Sequence, residues 1–108
     1  MLTMSKSLTT TDADWLETIH AGEVVVSEFM EPLGLTTGQL ASALLVDADR
    51  LTNVVSGSRP IDAELDLRLT RYFQLSEGYF LRIQMRLETL AAKRALNGEL
   101  DRIMPRAA

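Results

Sequence analysis

The sequence predicts an all-α domain of five principal helices. Apolar residues recur at steps of three and four along several segments, the spacing of a helix with one buried stripe. No run alternates convincingly at period two, so no strand is expected. Capping residues (Asp, Ser, Thr) and breakers (Gly, Pro) punctuate the segments where helices should begin and end. At 108 residues, 46% of them apolar, the chain has enough to build one modest core rather than stay disordered.

The elements follow in order. Residues 1–14 form an expected flexible amino-terminal segment, 15–97 the folded domain and 98–108 a tail. Within the first stretch, residues 1–11 are polar and rich in Ser and Thr. Asp12 or Asp14 caps a predicted short turn carrying Trp15, Leu16 and Ile19, which docks Trp15 on the core. A first full helix is expected from Glu23 to about Leu33, with Val25, Val26, Phe29, Met30 and Leu33 as its apolar stripe. Glu23 suits its positive end, and Pro32 and Gly34 mark its stop. Thr36, Thr37 or both cap a short helix that buries Leu40, Ala41 and Leu44. A break follows near Leu45-Val46. The next helix, Asp47 to Ser56, buries Leu51, Val54 and Val55, with Asp47 as cap, accepting from the N–H near Arg50. Gly57-Ser58-Arg59-Pro60 reads as a turn. Asp62 caps a fourth helix, Ala63 to Phe73, with Leu65, Leu69, Tyr72 and Phe73 on its apolar face. Ser76 caps a fifth, longer helix whose Phe80, Ile83, Leu87 and Leu90 share a stripe. Gly98 and Pro105 break the tail, leaving Leu100, Ile103 and Met104 in a short final helix.

The stretch Leu35 to Gly57 has the spacing of a helix-turn-helix. Ala41 lies where the two helices touch and a small side chain is needed, and Val46, Leu51 and Val54 hold the second helix across the first. Such a unit exposes the start of its second helix, which can enter a major groove. Sequence-specific DNA binding is therefore the leading reading.

Composition excludes other classes. Cysteine is absent, so there are no disulfides and no thiol chemistry. No apolar run approaches the ~20 residues that span a bilayer, and the amino terminus lacks the apolar stretch of a signal peptide, so no membrane role and a cytoplasmic location are expected. His20 is the only histidine and is read as a turn residue, not a metal ligand, because a metal site needs several placed ligands. Asp62, Glu64 and Asp66 are read as acids that cap and solubilise a helix start. No GxSxG, P-loop or HExxH pattern occurs, so no enzyme activity, catalytic residue or cofactor is expected.

Charge is unevenly spread around a net −4. Residues 1–35 carry one Lys against six acids, while residues 82–108 carry six basic side chains against three acids. Residues 36–59 hold Asp47, Asp49, Arg50 and Arg59 and are neutral, whereas strong DNA binders present a basic patch.

With the helices placed, the chain resembles the HigA-type antitoxins, also described as VapI-like, of the Xre helix-turn-helix superfamily. The match runs from about Ile19 to Gln84. Ile19-His20-Ala21-Gly22-Glu23, then Glu28-Phe29-Met30-Glu31-Pro32-Leu33-Gly34-Leu35, looks like the family's IHPGE…EFLEPLGL. Leu67-Arg68-Leu69-Thr70-Arg71-Tyr72-Phe73 and Phe80-Leu81-Arg82-Ile83-Gln84 look like its LRLARYF and FWLNLQ. The resemblance implies a lambda-repressor-like five-helix domain with an extended carboxy-terminal helix, usually a homodimer. It also implies a repressor that binds its own operator and a partner toxin, typically a small basic ribonuclease. Departures are Ala21 for Pro, Leu45 and Gln74 for Gly, Leu81 and Arg82 for Trp and Asn, and acids at Asp47 and Asp49. A Leu held at positive φ costs roughly 1 kcal/mol or more, unless the turn takes another geometry.

Carried over position by position, the DNA-facing candidates are Thr37, Gln39, Ala48, Asp49, Arg50, Asn53, Ser56 and Arg59. Thr37 heads the first motif helix, where its hydroxyl or N–H suits a phosphate. Arg50 is suited to guanine, Asn53 to adenine and Asp49 to cytosine N4, with Ser56 and Arg59 on the backbone. The alternative is a solvated helix face with no DNA role. Leu87, Leu90 and Arg94 lie beyond what a compact domain needs and are expected dimer or toxin contacts. Arg82, Arg86, Lys93 and Arg94 read as solvated cations, with acid pairing or DNA backbone contact as alternatives. Two other functions stay open: a stand-alone Xre-family repressor without a toxin, and a protein-interaction module whose motif no longer binds DNA.

Overall fold

A computed structural model describes residues 19–107 of the chain, and all regular structure among them is helical. The turn expected around Trp15, Leu16 and the caps Asp12 and Asp14 lies outside the described residues, as does the segment expected to be flexible.

Helix α1 is built in three pieces: a turn at Ala21–Val24, a π-helical stretch at Val25–Met30 and a last turn at Glu31–Leu33. It starts two residues before the expected Glu23. The π stretch precedes Pro32, whose ring in a regular helix would meet the carbonyl four residues back and lacks an N–H to donate. A wider turn relieves the steric conflict. Helix α2 spans Thr37–Leu44, α3 Ala48–Val55, α4 Ala63–Phe73 and α5 Tyr79–Leu96. The expected short final helix is a 3-10 helix at Glu99–Arg102, which includes Leu100 but not Ile103 or Met104, and all three are exposed. Gly98, at φ +88°, separates it from α5.

Leu40, Ala41 and Leu44 of α2, Leu51 and Val54 of α3 and Leu65 and Leu69 of α4 close on Val25 and Met30 of α1 and on Phe80 of α5. Phe29 stands at one end of this core with its ring centroid 4.9 Å from Phe73 and 5.3 Å from Phe80, distances at which tilted and edge contacts between aromatic rings are favourable. Not every expected core residue reaches the interior. Leu33 and Tyr72 are exposed and Val55 is only half-buried. Leu33 falls in the turn after the π stretch, which rotates it off the regular stripe. In the opposite direction, Ile61 is buried although it lies in a loop. Gln84 of α5 fixes it there: its Oε1 accepts from the Ile61 N–H at 2.8 Å and its Nε2 donates to the Ile61 carbonyl at 2.9 Å.

Helix ends follow local chemistry. Thr36 and Gln39 form a reciprocal capping box at the start of α2, with Gln39 N–H to Thr36 Oγ1 at 3.1 Å and Thr36 N–H to Gln39 Oε1 at 2.9 Å. Asp47 caps α3 by accepting from Asp49 N–H, one residue earlier than expected, and Asp62 caps α4 by accepting from Leu65 N–H at 2.9 Å. Three helices stop with the same pair of hydrogen bonds: Leu35 to Met30 and Gly34 to Glu31, Val46 to Ala41 and Leu45 to Ser42, Leu75 to Thr70 and Gln74 to Arg71. This stop needs a left-handed residue. Gly34 supplies it freely, but Leu45 and Gln74 sit at φ +62° and +59°. The strained alternative for Leu45 is therefore the one adopted.

The start of α5 corrects the sequence reading. Its cap position is Gly78, not Ser76, and Gly78 has no side chain to offer. Asp66 of α4 performs the capping from outside the helix. Its carboxylate accepts from the N–H groups of Gly78 (2.6 Å), Phe80 (2.9 Å) and Leu81 (3.2 Å). Asp66 is 1% exposed, so it is a buried joint between α4 and α5 rather than a solubilising acid. Ser76 instead accepts from Arg82 Nη2 at 2.9 Å.

Candidate nucleic-acid interface

Helices α2 and α3 pack on one another, with α3 also against α1, and Ala41 of α2 is buried in the core. Gly22 of α1 makes that second contact possible, since an added Cβ there would collide with the Val54 carbonyl. The turn between α2 and α3 is held by Arg68 of α4, whose Nη1 donates to the Leu44 carbonyl at 2.9 Å and the Leu45 carbonyl at 3.3 Å. The orientation of α3 is thus fixed from three sides.

Leu51 and Val54 face the core. Asp49, Thr52, Asn53 and Ser56 are exposed at steps of three, one and three on the opposite face, as 3.6 residues per turn requires. The side chains of Asp49, Thr52 and Asn53 make no hydrogen bond to any described residue. Ser56 Oγ turns back, donating to the Asn53 carbonyl at 3.1 Å and lying 3.1 Å from Ser58 Oγ. Arg59 N–H donates to the same Asn53 carbonyl, which folds the loop against the end of α3. Ala48 is exposed at the helix start. Thr37 is half-buried and Gln39 is exposed beside it at the start of α2, where Gln39 already serves the capping box.

Arg50 is placed differently from the others. It leaves the outward face and meets α4, with Nη2 3.0 Å from Asp62 and 3.5 Å from Glu64. The N–H of Leu65, then the Arg50 guanidinium, hold the Asp62 carboxyl below the ordinary aspartate range. The neutrality of residues 36–59 therefore overstates their welcome to phosphate. Arg50 is compensated by acids from α4, while Asp47 and Asp49 stay at the head of α3. Arg59 is the one cation of the candidate set that makes no ion pair among the described residues.

Thr52 was missing from the candidate set although it shares the outward face. A helical projection from Asp49 to Ser56 contains that signal. Leu87, Leu90 and Arg94 lie on the second half of α5, the two leucines half-buried and Arg94 exposed. No group of three or more His, Cys, Asp or Glu among the described residues is arranged to hold a metal ion, and no helix among them is long and apolar enough to cross a membrane.

No protein-family model matches the chain. A stretch of 55 residues is 44% identical to virulence-associated protein I of Dichelobacter nodosus, covering 51% of each chain. The match thus spans about half the length of that curated relative. Among solved structures, the chain is similar to PA4674 of Pseudomonas aeruginosa in complex with its operator DNA, at 31% identity and a TM-score of 0.76, covering 83% of this chain and 96% of that one. It is also similar to the Pseudomonas aeruginosa antitoxin HigA with the higBA promoter, at 28% identity and a TM-score of 0.72, covering 83% of this chain and 98% of that one.

Proposed function

Because this chain belongs to the HigA-type family of Xre helix-turn-helix antitoxins, we propose that it binds its own operator DNA, represses its operon and neutralises a small basic ribonuclease toxin. The observation that carries the DNA reading is the outward face of α3, where Asp49, Thr52 and Asn53 have side chains uncommitted to the rest of the fold. Two copies related by a two-fold axis would place their α3 helices about 34 Å apart on a pseudo-palindromic site. Thr37 and Gln39, at the positive end of α2, approach a phosphate, and Ser56 and Arg59 hold the backbone. Asn53 reads adenine, and Ala48 meets a thymine methyl. Guanine readout by Arg50 requires it to leave Asp62 and Glu64, so Arg50→Ala leaves operator affinity unchanged if that pair persists on DNA.

Toxin neutralisation is by binding, not catalysis. The acidic first 35 residues suit a basic partner, and reversing Asp12, Asp14 and Glu17 then slows association at low salt; an unchanged rate discards that role. The far half of α5, with Leu87, Leu90 and Arg94, is the proposed dimer or toxin contact.

The test is fluorescence anisotropy on the upstream promoter DNA and on scrambled DNA across a salt series. Tight, sequence-dependent binding supports the repressor. Equal, weak binding to both supports a second reading, favoured by the acids Asp47 and Asp49 and by the engaged Arg50: an interaction module that has lost operator recognition.

A further inference from the structure

A hollow of about 420 Å³ is lined by the end of α2, the turn after it and α4. None of the outward residues of α3 lines it. Three of its lining residues carry apolar surface that the fold leaves in water: Leu45 is 82% exposed, Leu67 48% and Tyr72 42%. Single exposed apolar residues are ordinary, but several around one hollow mark a binding surface. Leu45 has a further peculiarity. It is held at φ +62°, where glycine is unstrained, and its exposed side chain gives the core little packing in return.

The charged residues of the same lining are Glu64, Arg68 and Arg71. The Glu64 carboxylate is taken by Arg68 at 2.9 Å and Arg50 at 3.5 Å, and Arg68 also serves the Leu44 and Leu45 carbonyls. Arg71 makes no hydrogen bond or ion pair with any described residue, and the Tyr72 hydroxyl makes no hydrogen bond to one. Two guanidiniums against one carboxylate leave this hollow positive in a chain of net charge −4. We propose that it is a binding site for a small amphipathic monocarboxylate, whose charge pairs with Arg71 and whose apolar body covers Leu45, Leu67 and Tyr72. The volume falls within the ~300–1,000 Å³ of small-ligand sites, which are mainly apolar with a few polar groups. One uncommitted cation matches a single negative charge. An inorganic anion would leave the apolar lining in water, and a neutral apolar molecule would leave Arg71 without a partner.

The test titrates the full-length, ¹⁵N-labelled protein with 4-phenylbutyrate and, separately, with the neutral 4-phenylbutanol, following amide shifts by NMR. Saturable shifts are expected at Leu44, Leu45, Leu67 and Arg71, with a Kd on the order of millimolar for a ligand of this size. The alcohol is expected to bind about five-fold more weakly, the worth of one exposed charge contact. Arg71→Gln should bring the acid down to the level of the alcohol. Leu45→Gly should weaken the acid about three-fold through lost apolar contact, without lowering Tm. Shifts that do not saturate, or that fall elsewhere on the protein, overturn the proposal. Equal binding of acid and alcohol also overturns it, as does full affinity in Arg71→Gln. Unchanged affinity in Leu45→Gly overturns the placement of the apolar body. Should Arg71→Gln not fold, the comparison of acid with alcohol on the native chain decides.

Discussion

Asp62, Glu64 and Asp66 are alike in sequence, yet removing their charges one at a time should have three different effects. In Asp66→Asn the amide oxygen can accept from at most two of the three N–H groups that the carboxylate now serves, and its NH₂ turns towards a donor. A hydrogen bond to a charged group contributes about 1.5–3 kcal/mol, and a buried donor left unsatisfied costs about 1–3 kcal/mol. With the side chain sealed from water, the loss is about 2–4 kcal/mol, a fall in Tm on the order of 10–25 °C for a domain of this size. Glu64→Gln breaks ion pairs to Arg68 at 2.9 Å and Arg50 at 3.5 Å, but that side chain is 58% exposed and the cost stays within about 1 kcal/mol. Asp62→Asn keeps a good cap and loses only the exposed charge pair, again about 1 kcal/mol or less. The assay is urea unfolding followed by circular dichroism at one fixed protein concentration, so that any dimerisation contributes equally. Losses for the three variants within about 0.5 kcal/mol of one another would refute the assignment of Asp66 as the cap of α5.

Leu45→Gly removes a left-handed leucine that is 82% exposed. Relief of about 1–2 kcal/mol of backbone strain, offset by glycine's greater freedom when unfolded, leaves a gain of about 0.5 kcal/mol, readable as a small rise in Tm; a fall contradicts it. The Asp62 carboxyl is held below its ordinary range by the Leu65 N–H and Arg50. Its contribution is therefore full above the ordinary aspartate pKa and is lost as pH falls through the lowered one. Asp62→Asn should flatten stability against pH across that interval, and an unaltered acid slope would show that the carboxyl titrates normally. On operator DNA, Arg59→Ala should lower the salt slope by about one and weaken all sequences alike, whereas Asn53→Ala should cost about 1–3 kcal/mol at one base position only. Anisotropy titrations separate the two, and identical behaviour of both variants would place Asn53 on the backbone.

Features legible in the sequence are those whose partners are close along the chain. Thr36, Asp47 and Asp62 each accept from an N–H two or three residues ahead, so residue type and position are enough to name them. Gly57 and Arg59-Pro60 likewise mark the turn they form. The outward face of α3 was largely readable because periodicity fixes which side of the helix points away from the core. Periodicity does not reveal that Arg50 turns to Asp62, 12 residues away, and residue type does not advertise Thr52, which the projection places on the same outward face.

From sequence alone came the all-α class, the helix stops and the α2–turn–α3 unit, because helical periodicity and capping are local physics. Only the tertiary structure decided which of several similar residues became structural. It brought Asp66 to the start of α5, Gln84 to Ile61 across 23 residues, and Arg68 to the carbonyls that end α2. It also rotated Leu33 out of the core through the π stretch before Pro32. Each of these depends on buried donors and acceptors finding partners on a neighbouring helix, a demand that appears only when the helices pack.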